Sequence, residues 1–309
     1  MAGEEAQSDV VAVWLEKAAI YRQQADGSPA LLDHLFLAEL GVVGLHSRYA
    51  AEVTDTQGRE LARFASGGRL SFVNEWLLDR QARSFASLSE LDAAIPNDVY
   101  RCHVRDAHGE RDFALALGGG ESRTLLPAPP RITLSQGGRA EAPFDADAAI
   151  EVAWTPFSPA PAPDGIPPLF AQPTIFFLMD NCRGETVFSS GSGARRPSLS
   201  VDTHGLTLPA GTLEPGLRYT VFVSFIDYRA GAQSADGAVA GVSVHSATVE
   251  CAFETGGEAA DGRSCPPIEQ RACYRWPGPL KPERGLAPWP VSASGLTIEP
   301  AIELRSTRN

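Results

Sequence analysis

Short runs in which apolar and polar residues alternate, punctuated by Gly, Pro, Asp and Asn, recur along most of the chain. The sharpest spans Leu213–Ile226, LEPGLRYTVFVSFI, where a Pro-Gly turn leads into strict alternation. Tyr219, Val221, Val223 and Phe225 fall on one face and Thr220, Phe222, Ser224 and Ile226 on the other, the two-residue period of a β-strand. Val10–Gln23 fits two periods: a helix would align Val11, Trp14, Leu15 and Ala18, a strand Val11, Val13, Leu15, Ala19 and Tyr21. The strand reading is adopted, with DGSP as the turn that follows. Further strands are expected at His34–Val43, Ser47–Thr54, Glu60–Phe64 and Leu70–Leu77, a spacing that suits a sandwich or barrel. Ser84–Ala94 breaks the pattern, because Ser87 stands three residues before Glu90 as in a capping box and Leu88 and Leu91 share a helical face. One short helix is expected there, stopped by Pro96.

Alternation resumes at Tyr100–Val104 and continues through a hairpin to Leu117. IPNDVY before this strand echoes LEPGLRY before the later one: a turn, then an inward tyrosine. Leu125–Pro130, LLPAPP, is a semi-rigid junction. Beyond it, strands are expected at Ile132–Leu134, Ala149–Trp154, Thr174–Met179, Glu185–Ser189, Leu206–Leu208 and Val242–Phe253, with a Pro-dense insertion at Pro159–Pro168. After GGEAADG, Cys265–Pro290 is rich in Pro without clear periodicity, and Leu296–Leu304 can form a last strand. The predicted organisation is an N-terminal β-sandwich over 1–124, a Pro-rich junction at 125–130, a second sandwich over 131–255 and a Pro/aromatic-rich C-terminal strap over 256–309.

The spacing Leu-x-Pro-Gly-x-x-Tyr at Leu213–Tyr219 resembles the tyrosine corner of fibronectin type III and other immunoglobulin-like sandwiches. AIEVAW, ending in Trp154, resembles the fibronectin type III strand whose Trp fills the core. With KAAIYRQ and FASLSELDAAIPNDVY added, residues 10–255 resemble bacterial proteins with tandem immunoglobulin-like or fibronectin type III-like domains of unassigned function. The Pro-dense insertion stretches the Trp154-to-Tyr219 gap beyond the usual spacing. The resemblance implies an all-β architecture of two tandem sandwiches with one short helix, and a place outside the cell or at its envelope. It transfers no catalytic residue, because such sandwiches host many functions.

Composition narrows the partners. A formal net charge of -12 argues against a nucleic-acid surface, which needs clustered Lys and Arg. No apolar run is long enough to span a membrane as a helix, and MAGEEAQSDVV lacks the features of a signal peptide. Among the five cysteines, Cys265 and Cys273 lie close together in the irregular tail and could staple it in an oxidising compartment. Cys102, Cys182 and Cys251 fall in expected strands, where a buried thiol is the simpler reading.

Each chemically suggestive cluster has a plain structural explanation. Cys102-His103 with His108 has the residue types of a nucleophile or zinc site, but adjacent strand residues point to opposite faces. Asp180–Gly184 has the composition of a turn and lacks a calcium-loop string. Ser189–Gly193, SSGSG, has no Lys-Ser/Thr after it and reads as a hairpin tip, and Arg195, Arg196 and His204 as rim residues. Tyr274, Trp276 and Trp289 could stack on a sugar as a carbohydrate platform, or anchor the Pro-rich strap. The expected function is therefore a non-enzymatic binding or structural module without a cofactor or metal, for an unknown protein or glycan partner. The alternative is a glycan-active hydrolase or carbohydrate-binding protein with its site in the interdomain cleft.

Overall fold

The computed structural model of the chain describes residues 8–259 apart from 45, 68–69, 74–75, 141, 168–174 and 191–198, together with Gly262 and Cys265. Fifteen strands and one helix are formed among the described residues: β1 (Val10–Gln23), β2 (Pro29–Val42), β3 (Tyr49–Thr54), β4 (Glu60–Ala65), β5 (Leu70–Val73), β6 (Trp76–Phe85), α1 (Leu88–Ala94), β7 (Val99–Asp106), β8 (Gly109–Ala116), β9 (Ile132–Ser135), β10 (Ile150–Trp154), β11 (Ile175–Asn181), β12 (Thr186–Ser189), β13 (Gly205–Leu208), β14 (Arg218–Gln233) and β15 (Ala240–Glu254). The fold is all-β. The ambiguous opening segment is the strand β1, and the helix is capped as the Ser87–Glu90 spacing predicts: Ser87 Oγ accepts from Glu90 N at 3.2 Å, and Glu90 Oε2 accepts from Ala86 N at 3.1 Å. The helix starts later than expected because Ser84 and Phe85 are still paired with β2.

Three sheets form. One has eight strands in the order β12-β11-β14-β15-β1-β2-β6-β5, one has four, β4-β3-β7-β8, and one has three, β13-β10-β9. The eight-stranded sheet joins the two ends of the described chain, because β1 pairs in parallel with β15 from Ala12↔Ala240 to Arg22↔Glu250. One face of this sheet carries two separate apolar interiors. Val13, Leu15, Phe36, Ala38 and Leu40 close the first with Ala51, Val53, Tyr100, Cys102 and Val104 of the four-stranded sheet. Phe177, Tyr219, Val221, Val223, Phe225 and Val249 close the second with Ile132, Val152 and Trp154 of the three-stranded sheet. The two small sheets thus lie side by side on a common platform, and Tyr100 and Tyr219 stand in different cores.

β14 and β15 are long enough to serve both interiors. In β14, Tyr219–Phe225 supplies the second core, a register shift falls between Tyr228 and Ala230, and Ala230 and Ala232 then pack on the first. On β15 the surface is pared down where β8 crosses: a Cβ on Gly241 would sit 2.5 Å from the Phe113 ring, so only glycine allows this approach. Both tyrosine corners are made. Tyr219 Oη accepts from Glu214 N at 2.6 Å, and Tyr100 Oη donates to the Pro96 carbonyl at 2.9 Å. Trp154 fills the second core as expected, 5.9 Å from Phe177, with its indole N–H donating to Thr203 O at 2.8 Å.

One pairing departs from expectation. Cys265 is bonded to Cys182, not to Cys273, with Cα atoms 5.5 Å apart and a sequence separation of 83. The Asp180–Gly184 turn explains the choice: Asn181 Oδ1 accepts from Arg183 N and Glu185 N, and Gly184 takes a φ of 79°. This turn sets Cys182 at the edge of the second core, where Cys182 N donates to Arg218 O and Arg218 N points at Cys265 Sγ, 3.1 Å away. Cys265 therefore meets a strand end already held in place. Cys273 lies outside the described residues.

Candidate functional site at the junction of the two cores

A belt of polar side chains crosses the shared sheet between the two interiors. β14, β15 and β1 place Asp227, His245 and Lys17 in adjacent register on the core-facing side. The chain from Gly118 to Leu125 passes over them. A Cβ on Gly118 would lie 2.4 Å from Asn97, and one on Gly119 would lie 2.7 Å from the Arg229 carbonyl. Residues brought together here come from β1, α1, the turn after it, the junction segment, β14 and β15.

Lys17 is completely buried. Its ammonium donates to Asp92 Oδ1 at 2.8 Å, Asn97 Oδ1 at 2.8 Å and Thr124 Oγ1 at 3.0 Å, so each of its three protons has an acceptor. Burial lowers its pKa, opposed by the Asp92 hydrogen bond and charge. Asp92 is pushed up by burial and more than compensated by hydrogen bonds from Lys17 and Thr124, so it lies below the ordinary carboxylate range. An ammonium saturated in this way is a lock, not a nucleophile, since a nucleophilic amine must be deprotonated and open on one side.

Arg229 holds the other half of the belt. It donates from Nε to His245 Nδ1 at 3.0 Å and from Nη2 to the Leu125 carbonyl at 2.8 Å, and it stands 3.3 Å from Asp227 Oδ2. His245 Nδ1 also lies 3.0 Å from the Leu125 carbonyl, so it accepts from Arg229 in one tautomer and donates to Leu125 O in the other. Burial, then the Arg229 charge, depress the His245 pKa to about 3, keeping the ring neutral. His245 Nε2, Asp227 Oδ1 and Asn97 Nδ2 are buried with no hydrogen-bond partner among the described residues. Asp227 and His245 are register partners at the junction, the place the cleft reading would put a His–acid pair. Arg229 engages both of them, and the His245 ring is fully enclosed.

The opposite face of the eight-stranded sheet holds a second set of charges. Trp14 Nε1 donates to Glu16 Oε2 at 2.9 Å, Ser246 Oγ donates to Glu16 Oε1, and Arg80 pairs with Glu39. Burial, with Glu39 as a smaller cause, raises the Glu16 pKa.

The residues singled out in the sequence fall elsewhere. Cys102 is buried in the first core, its pKa raised by burial to about 12, while His103 faces out and meets Asp112 Oδ1 at 2.8 Å. The strand period separates them as predicted. Tyr274, Trp276 and Trp289, and the expected strand Leu296–Leu304, lie outside the described residues, as do Arg195 and Arg196. Neither Lys17 nor His245 stood out in the sequence. One signal was present: Glu16-Lys17 is the only charged pair inside the apolar run VVAVWLEKAAIY, and a charge in a strand apolar on both faces must find partners.

No family model and no curated protein matches the chain. Among solved structures, the FN1-FN3 domains of chicken CNTN1 align over 80% of this chain and 66% of that one, at 11% identity and a TM-score of 0.22. The BSP domain of a biofilm-associated protein aligns over 83% and 68%, at 9% identity and a TM-score of 0.15. Both scores are low, so the fold is read from the strand pairing itself. Among the described residues no helix is long and apolar enough to cross a membrane.

Proposed function

We propose that the chain is a non-catalytic structural and binding module that holds two β cores in one fixed arrangement and engages a protein or glycan partner through loops at its ends. The observation that carries this reading is the continuous platform: β14 and β15 run through both interiors, and the Lys17–Asp92–Thr124 and Arg229–His245–Asp227 contacts pin the junction onto it. A hinge between the cores would have to bend two continuous strands and expose Lys17 without its partners, a cost of several kcal/mol. In this reading the sequence boundary at 125–130 divides the small sheets, with β3, β4, β7 and β8 before it and β9, β10 and β13 after it, and 256–309 forms a strap. The Cys182–Cys265 disulfide suits an oxidising compartment, which favours a place outside the cell or in its envelope.

Small-angle X-ray scattering tests the rigidity directly. A single fixed shape, unchanged from low to high ionic strength, is expected. A distribution of separations between two lobes would remove the spacer role. Incubation with a panel of oligosaccharides, followed by product analysis, separates this module from the glycan-active hydrolase: binding without new reducing ends fits the module, and new reducing ends overturn it.

A further inference from the structure

The face of the eight-stranded sheet turned away from both cores carries two apolar clusters on either side of its Glu16 and Glu39–Arg80 charges. Ala18, Ile20, Leu35 and Leu37 form one buried cluster there, and Tyr228, Val242 and Val244 another, flanked by Trp14 and Ile226. The register confirms that these residues share a side: Ala18 pairs with Leu35, Ile20 with Thr248 and Tyr228 with Val244. Antiparallel strands with one wet face alternate apolar and polar residues, whereas strands covered on both sides do not. Val242, Val244 and Ser246 are 0% exposed. Among the described residues, Ile166 packs on the second cluster, and the Gly165–Ile166 backbone crosses the same face at Gly231, the partner of Val242.

We propose that residues 266–309 dock on this outer face and cover it. Length and anchorage allow it: 44 residues follow Cys265, which the disulfide holds at the start of β14. The centre of the face lies about 20 Å along the strands and about 14 Å across them from that anchor, well within the reach of an extended segment. Composition fits the surface as well. Tyr274, Trp276, Trp289, Leu280, Leu286 and Ile298 supply apolar bulk, and six Lys or Arg against four Asp or Glu make the segment basic in a chain of net charge -12. The charges on the face are already matched within it, Glu16 by Trp14 and Ser246 and Glu39 by Arg80, so the segment is recognised by its apolar side chains. Frequent prolines hold such a segment extended and remove backbone donors that would otherwise need partners on a flat apolar surface.

The lysines make a clean test on the intact chain. Only Lys17 and Lys281 occur, and Lys17 is fully buried, so an amine-reactive diazirine labels Lys281 and the N-terminal amine, which peptide mass distinguishes. On irradiation of a mixture of 14N and 15N protein, the Lys281 adducts should be intramolecular and fall on β1, β2 and β15 peptides carrying Trp14–Ile20, Leu35–Leu37 and Val242–Thr248. Adducts confined to the small sheets or to residues 266–309 themselves, or adducts between isotopes that reveal a second copy as the occupant, overturn the proposal. A second measurement uses the full-length double variant Trp276→Ser/Trp289→Ser. Hydroxyl-radical oxidation of Trp14 and Tyr228 should rise at least threefold while Trp154 and Tyr219 in the second core stay protected. Unchanged oxidation of Trp14 and Tyr228 would also sink the proposal, whatever the stability of the variant.

Discussion

Lys17 shows at the scale of one residue why a buried charge can stabilise and endanger a fold at once. Removing a buried ammonium from water costs several kcal/mol, recovered here by three acceptors within 3.0 Å. Asp92→Ala leaves the ammonium enclosed without its counter-charge and should cost about 3–5 kcal/mol. Lys17→Met, which removes the charge and keeps the stem, should cost far less and can be neutral. Urea unfolding of both variants checks the order, and a Lys17→Met that is worse than Asp92→Ala would show that the ion pair is a net gain. His245 adds a pH dependence with a definite sign. Its folded pKa, about 3, lies below the ordinary value of 6.5, so the unfolded chain binds the extra proton first as pH falls. The contribution is fully present above about pH 6.5 and is lost progressively down to about pH 3. His245→Gln should therefore weaken the acid dependence, narrowing the loss of stability between pH 7 and pH 5 by about 2 kcal/mol. The facing charges are Arg229, Lys17, Asp92 and Asp227, and the comparison with the variant isolates the imidazole from them.

At the scale of the element, the two tyrosine-led strands differ in how tightly their corners are tied. Tyr219 both accepts from Glu214 N at 2.6 Å and reaches Glu214 O at 3.3 Å, whereas Tyr100 makes one bond to Pro96 O. Tyr219→Phe leaves the partly buried Glu214 amide unpaired and should cost about 1–3 kcal/mol, against about 1 kcal/mol for Tyr100→Phe. Equal losses in chemical denaturation would mean that the rings, not the hydroxyls, hold the corners. These elements were legible in the sequence because their information is local: a turn, a tyrosine and a period of two. β1, β7, β10, the capped helix and the corner strand could all be read that way. β6 could not. Its run DRQARS carries charges that look solvated, yet Arg80 pairs with Glu39 and Asp79 accepts from Tyr49 at 3.1 Å, partners supplied by other strands. The same reason hides the junction. Lys17 meets Thr124, and His245 meets Arg229 and the Leu125 carbonyl, only once β1 and β15 pair across more than two hundred residues of sequence. No short-range pattern encodes such a parallel partner, and the nearer Cys273 masked Cys182 as the partner of Cys265 for the same reason.

For the whole molecule, the question is whether two interiors make one cooperative unit. Tandem domains joined only by a linker would melt separately, each with its own midpoint. Here the cores share a platform: β15 pairs with β1 under both interiors, and β14 contributes Phe225 to one and Ala230 to the other. Losing the second core would strip β1 of its β15 partner along Ala12–Arg22 and open the first core along one side. Unfolding should therefore be a single transition, with calorimetric and van't Hoff enthalpies equal. Leu40→Ala in the first core and Phe177→Ala in the second both truncate fully buried side chains, at about 2–5 kcal/mol each. Either variant should shift the one endotherm as a whole without splitting it. Two site-resolved probes make the result decisive: Cys102 is buried in the first core and Trp154 in the second, so thiol labelling of Cys102 and hydroxyl-radical oxidation of Trp154, each read by peptide mass, should report the same midpoint. If Leu40→Ala frees Cys102 while Trp154 stays in its native environment, the platform does not couple the cores, and the fixed arrangement proposed for this chain loses its physical basis.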